Sequence, residues 1–223
     1  MKTKFLIKSL VTSLFFSAIL FLAAGKLNYL QGFIFLITNL LTAFMNFWTI
    51  RNDTSLMGER SKAGEGAKQW DKVILGLSGI IYLAAIIIAG LDSGRFLWSA
   101  GAHWTIYAAG IILSISGQVI FLSARKENKY FSSVVRIQTD REHQVCDSGV
   151  YKIVRHPGYA GMTVSLLAVP LLTGSAWCSI PIGIAVILLL LRTYLEDETL
   201  KKELPGYTDF AHNTRQRLLP YVW

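Results

Sequence analysis

Long uninterrupted apolar stretches constrain this chain more than any single residue does. Four of them, 5–24, 29–50, 73–91 and 102–123, each hold roughly twenty predominantly apolar residues, about the number a helix needs to cross a hydrocarbon core of ~30 Å. A soluble amphipathic helix requires an apolar stripe on one face only. Since the bilayer interior offers backbone groups no water, each run is expected to be a helix that satisfies its own hydrogen bonds. Two further runs, 162–172 and 177–191, are separated by Pro170 and Thr173-Gly174-Ser175 and read as a helical hairpin. The expected fold is an all-α polytopic membrane bundle of about six crossings, the last two a hairpin, followed by C-terminal helices in the cytoplasm. Residues 1–123 are expected to supply N-terminal transmembrane helices and 124–223 a catalytic, cofactor-binding region.

Charge placement agrees with this reading. The net charge of +8 raises the question of a nucleic-acid partner. However, all of the 22 Lys and Arg residues except Lys26 and Arg95 fall on one side of the expected bundle. That asymmetry is the positive-inside pattern, so it puts both termini in the cytoplasm and removes the need for nucleic acid. Lys2, Lys4 and Lys8 ahead of the first run, with Ala23-Ala24-Gly25 after it, imitate a signal peptide. The run is long for that role and further spans follow, which favours a retained first helix.

Small and polar residues inside the runs suggest helix packing. Asn39 and Asn46 share one face, as do Gly110, Ser114 and Gly117, and small residues let membrane helices approach closely. Cys146 and Cys178 fall at opposite ends of the bundle, so both are expected to be free, and no Cys/His spacing resembles a zinc site. Cys146 as a nucleophile is an alternative without any feature that activates the thiol.

Chemistry-bearing residues gather at two places. The segment 149–161, Gly-Val-Tyr-Lys-Ile-Val-Arg-His-Pro-Gly-Tyr-Ala-Gly, ends the longest polar connector. Its Pro157 pushes His156 out of helical geometry and starts the next helix, whose N-terminus favours an anionic group. Arg192 and Glu196, four apart, share a face of the helix that leaves the hairpin. A hairpin brings its ends together, so both clusters converge at the cytoplasmic interface. Two simpler readings compete: a local Arg192–Glu196 ion pair, and a basic loop facing lipid phosphates.

These residues carry a resemblance. The run from Asp140 through 149–161, with Arg192, Glu196-Asp197, Leu200, Gly206-Tyr207 and Arg217-Leu218-Leu219-Pro220, resembles the C-terminal half of the isoprenylcysteine carboxyl methyltransferase family and its phospholipid-methyltransferase relatives. Asn52, Glu59-Arg60 and Trp70-Asp71 resemble bacterial members, so the likeness extends over about 51–220 and implies a bacterial inner membrane. The resemblance implies an S-adenosylmethionine-dependent methyltransferase embedded in the membrane, with no soluble dinucleotide-type domain. It implies that Gly149, Tyr151, Arg155, His156, Pro157, Tyr159 and Glu196 line the cofactor pocket, without any metal. Arg192 and Glu196 are then the catalytic pair, with Arg192 facing the acceptor. In the family's paired glutamates the second is Asp197 here, which leaves the role of that position open.

The expected activity is transfer of a methyl group to a lipophilic or small acceptor that enters from the bilayer, as in a protein-S-isoprenylcysteine carboxyl O-methyltransferase. Phospholipid N-methylation and small-thiol S-methylation are alternatives. A nicotinamide-dependent membrane reductase and a non-enzymatic membrane subunit are alternatives of other classes.

Overall fold

The computed structural model describes residues 2–51, 66–99 and 101–223, so Asn52 and Glu59-Arg60 lie outside it. The described residues form seven α-helices and no strand. They are α1 (Lys2–Ala24), α2 (Leu30–Ile50), α3 (Gln69–Ala89), α4 (Trp104–Glu127), α5 (Pro157–Thr173), α6 (Ser179–Glu203) and α7 (Tyr207–Asn213). Five of them, α1, α2, α3, α4 and α6, are long and apolar enough to cross a membrane. The first arm of the expected hairpin, α5, has 17 residues, hence a length of about 25 Å against a core of ~30 Å.

Close approach of small residues sets the packing. On α4, a Cβ added to Gly117 would lie 2.5 Å from Ser165 Oγ and 2.7 Å from Gly161 O, and one on Gly110 would lie 2.8 Å from Leu172 N. A Cβ on Gly161 would lie 2.5 Å from Gly117 O. The stripe visible in the sequence is therefore the seam between α4 and α5, where the two backbones all but touch. This seam fixes the depth of α5, and with it the position of the residues at its start.

The hairpin turns at Gly174, within the expected Thr173-Gly174-Ser175 break. Pro170 sits inside α5, whose chain reverses only where Gly174 takes φ +62°. Ser175 N donates to Pro170 O at 3.1 Å, which satisfies a carbonyl that the end of the helix would orphan. At the same end of the bundle α3 does not stop at Leu91 but continues as a π-helical turn, Gly90–Phe96. There the buried Asp92 accepts from Ser99 N and Ser99 Oγ, each at 2.7 Å, and from Ser175 Oγ at 2.6 Å. Asp92 thus latches the hairpin turn to α3 far from the residues that carry chemistry.

The opposite end is polar. Residues 128–156 are irregular apart from short 3-10 turns at Thr139–Arg141 and Gly149–Lys152. Apolar packing is correspondingly divided: one buried cluster includes Leu20, Phe35, Ile86, Leu172 and Ile182 within the bundle. A second, Tyr151, Leu204, Tyr207 and Phe210 with Ala124, ties α7 and the connector to the ends of α4 and α6.

Candidate functional site

A single carboxylate organises the polar end. Asp197, on α6 one turn beyond Thr193, is fully buried. Its Oδ1 accepts from Arg155 Nε at 2.7 Å and from Tyr207 Oη at 2.9 Å, and His156 Nε2 lies 3.2 Å away. Its Oδ2 accepts from Arg155 Nη2 at 3.0 Å and Arg217 Nε at 2.9 Å, with Lys201 Nζ at 3.1 Å. Burying one carboxylate among so many donors offsets the desolvation that an isolated charge would suffer.

Arg155 extends this network. Burial works against its charge, but the hydrogen bonds and attraction of Asp197 outweigh that and raise its pKa above the ordinary value. Its Nη1 donates to Thr214 O at 2.8 Å and Arg215 O at 2.7 Å, while its backbone N donates to Gln216 O at 2.9 Å. His156 N likewise donates to Arg217 O at 2.9 Å. The phenol of Tyr207 is raised by burial and by the neighbouring Asp197 charge, so it stays protonated and remains a donor. Together these contacts strap the C-terminal segment over the start of α5.

A second buried pair lies one helical turn earlier on α6. Arg192 Nε donates to Asp71 Oδ1 at 2.7 Å, and Nη2 donates to Asp71 Oδ2 at 3.3 Å and to Ser133 O at 3.0 Å. Asp71, in the first turn of α3 and fully buried, also accepts from Val135 N at 2.8 Å. The guanidinium stands 5.1 Å over the Tyr159 ring, within cation–π range. Nη1 of Arg192 makes no hydrogen bond among the described residues. Arg192 does not pair with Glu196, whose Oε2 instead accepts from Tyr159 Oη. The Tyr159 ring stacks on His156, with centroids 5.8 Å apart and planes inclined by 20°.

Two cavities meet at Tyr159. The first, about 100 Å³, lies among the connector, the start of α5 and the ends of α6 and α7, and is lined by Tyr151, Arg155, His156, Gly158, Tyr159, Glu196 and Tyr207 among others. The second, about 560 Å³, lies among α2 to α6 and is lined by Phe35, Tyr82, Met162, Val169, Leu189 and Arg192 among others. Phe131, Ser132 and Tyr159 line both and form the partition between them. Of the residues named from sequence, Tyr151, Arg155, His156, Tyr159 and Glu196 border the first cavity and Arg192 the second. Gly149 and Pro157 border neither. Gly149 takes φ +52°, and a Cβ there would lie 2.6 Å from Glu127 Cδ, while Pro157 opens α5.

The connector walls the first cavity through Asn128, Tyr130, Phe131, Val134, Val135 and Arg136. Cys146 is half-buried and its thiol pKa is raised by burial, so it lacks the thiolate a nucleophile needs. Asp71 was visible only as a motif letter, without a role. The signal available was that Arg192, inside an apolar helix, demands a counter-charge; nothing in the spacing says which acid supplies it. Asp197, Tyr207 and Arg217 were visible only as motif letters, because their convergence depends on the fold of the last thirty or so residues.

Residues 110–202 match the model of the Isoprenylcysteine carboxyl methyltransferase (ICMT) family. The chain is 33% identical over 63 residues to a probable protein-S-isoprenylcysteine O-methyltransferase of Oryza sativa subsp. indica, a match covering 28% of this chain and 33% of that protein. It is 30% identical over 63 residues to protein-S-isoprenylcysteine O-methyltransferase B of Arabidopsis thaliana, covering 28% of this chain and 32% of that protein. The match spans about a third of the length of these curated relatives. The matched region holds Tyr159, Arg192, Glu196 and Asp197, whereas Asp71, Tyr207 and Arg217 fall outside it. Residues 110–202, which hold the partition together with Glu196 and Asp197, are thus similar to the isoprenylcysteine carboxyl methyltransferase family, within a chain whose helices are long and apolar enough to cross a membrane.

Proposed function

We propose that the chain is an S-adenosylmethionine-dependent methyltransferase that esterifies the carboxylate of a lipophilic acceptor. The observation that carries this reading is the pair of cavities on either side of Tyr159, one polar and aromatic, the other reaching into the apolar bundle with the cationic Arg192 in its lining.

The donor set of the first cavity suits the cofactor. Glu196 can accept from an ammonium or a ribose hydroxyl, and the stacked His156 and Tyr159 rings, with Tyr151 and Tyr207, offer aromatic faces to a purine and to a sulfonium. Its volume of about 100 Å³ is below the ~300–1,000 Å³ usual for sites of such ligands. Loading therefore requires the wall contributed by residues 128–146 to move outward.

When bound, the cofactor supplies an activated methyl group on a sulfonium. Arg192 holds the acceptor carboxylate through Nη1, the edge left unbonded by Asp71 and Ser133, and aims one oxygen past Tyr159. In such a transfer a carboxylate oxygen would bond to the methyl carbon as its bond to sulfur broke, the electron pair staying on sulfur, so the residues here would have to align and desolvate the two groups. The acceptor is already ionised near neutral pH, so no residue has to remove a proton. Exclusion of water by the Tyr159–Phe131 partition keeps the carboxylate poorly solvated and reactive.

Incubation with methyl-labelled cofactor and a membrane lipid extract tests the reaction. Base-labile label released as methanol is the expected result, because esters saponify; base-stable label would mark N- or S-methylation and overturn the carboxylate assignment.

A further inference from the structure

The second cavity is more polar than a hydrocarbon guest requires. Among its lining residues, Asn39 Nδ2 donates to Phe35 O at 2.8 Å, Thr42 Oγ1 donates to Asn39 O at 3.0 Å, and Asn46 Oδ1 accepts from Arg125 Nη1 at 2.5 Å. These groups are answered within the protein. Four others are not: Ser78 of α3, Ser114 and Gln118 of α4, and Ser165 of α5 line the same space, and no hydrogen bond is formed by their side chains among the described residues. Hydroxyls elsewhere in these helices do bond back one turn, as Ser123 Oγ does to Val119 O, Thr163 Oγ1 to Tyr159 O and Thr193 Oγ1 to Leu189 O. Such back-bonding is the ordinary way for a helix to satisfy a hydroxyl. Gln118 adds a stronger signal, because its Nε2 is buried with no partner among the described residues. A buried, unsatisfied amide costs ~1–3 kcal/mol, a burden an apolar side chain of similar shape would avoid.

We propose that the acceptor is not a plain hydrocarbon chain, but carries a hydrogen-bond-accepting oxygen in its body that Gln118 reads, with the hydroxyls of Ser78, Ser114 and Ser165 beside it. This inference rests on the methyl-transfer reading only in taking the second cavity as the acceptor's. Gly117, next to Gln118, packs against Gly161 and Ser165 of α5. Gln118 therefore lies roughly 3–9 Å deeper along α5 than Tyr159, at 1.5 Å per residue. The oxygen belongs at that distance behind the carboxylate, between the reacting end and the apolar remainder. An acceptor lacking it leaves the amide unpaired, which is the kind of difference by which a polar site rejects an analogue.

Equilibrium binding to purified protein in detergent, followed by native mass spectrometry, tests this with palmitate and a series of keto-palmitates whose carbonyl is stepped along the first half of the chain. One keto position is expected to bind about tenfold more tightly than palmitate, the worth of one good hydrogen bond. Gln118→Leu should remove that difference while palmitate binding stays. Arg192→Ala should weaken every member of the series, because it removes the carboxylate's partner. Equal binding of all the acids by the unmodified protein, or a keto preference that survives Gln118→Leu, overturns the inference and leaves the acceptor cavity standing. If none of the acids binds, the assignment of the cavity to a carboxylate acceptor falls, and this inference with it.

Discussion

Two carboxylates with different duties control the candidate site. Asp197 gathers Arg155, His156, Tyr207 and Arg217, so its removal strands several buried donors. Asp197→Ala is expected to destabilise the protein by about 3–5 kcal/mol, the cost of breaking a buried pair from one side, read as a lower unfolding midpoint in detergent. An unchanged midpoint would contradict the network. Asp71 acts instead on Arg192. Asp71→Ala should destabilise comparably, and the double variant Asp71→Leu with Arg192→Met should recover much of that stability while remaining inactive, since only the pair's electrostatics is dispensable for folding. Activity in the double variant would show that Arg192 does not hold the acceptor. Arg192→Ala by itself should lower turnover more than cofactor affinity, whereas His156→Ala should weaken the cofactor; equal cofactor loss in both would refute that division. Cys146, its thiol pushed up by burial, should alkylate slowly at neutral pH and faster as pH rises through the raised pKa. Rapid modification at neutral pH that abolishes activity would restore it as a nucleophile.

Individual elements place these residues. The α4–α5 seam sets the depth of Tyr159, because Gly117 and Gly161 allow contact that any Cβ would prevent. Gly117→Leu should part the helices and cost about 1–3 kcal/mol or more, visible in the same unfolding assay. Residues 128–146 wall a first cavity of about 100 Å³, too small for the proposed cofactor as it stands. Hydrogen exchange in 128–146 is expected to change on adding S-adenosylmethionine, with protection in the bound state. Exchange unchanged at saturating cofactor would contradict a wall that moves and closes. Sequence periodicity anticipated the seam, since a stripe of small residues on one apolar face has few uses other than close packing. It also placed the hairpin turn at the Thr173-Gly174-Ser175 break, where Gly174 takes the left-handed conformation the reversal needs, while Pro170 stays inside α5 because a proline near a helix end sacrifices few bonds.

At the scale of the molecule, the sequence was most informative where physics leaves few options. An apolar run of twenty residues has one stable form in a bilayer, so the helices were legible. The site was half legible. Motif residues at the ends of α5 and α6 had to converge once the hairpin existed, but Asp71 comes from α3. Its partnership with Arg192 depends on how α3 packs against α6, which no spacing encodes. The strapping of 214–217 across the start of α5 was hidden for the same reason. A mixed origin follows for the site: the family-matched region brings Tyr159, Arg192 and Glu196, and the helices before it bring the counter-charge and one wall of the second cavity. The most direct test is calorimetric titration of S-adenosylmethionine into the purified protein in detergent, alongside Glu196→Ala. Saturable binding at one site, weakened at least tenfold in the variant, is the predicted result; a folded protein that binds no cofactor, or a variant that binds it equally well, would contradict the account.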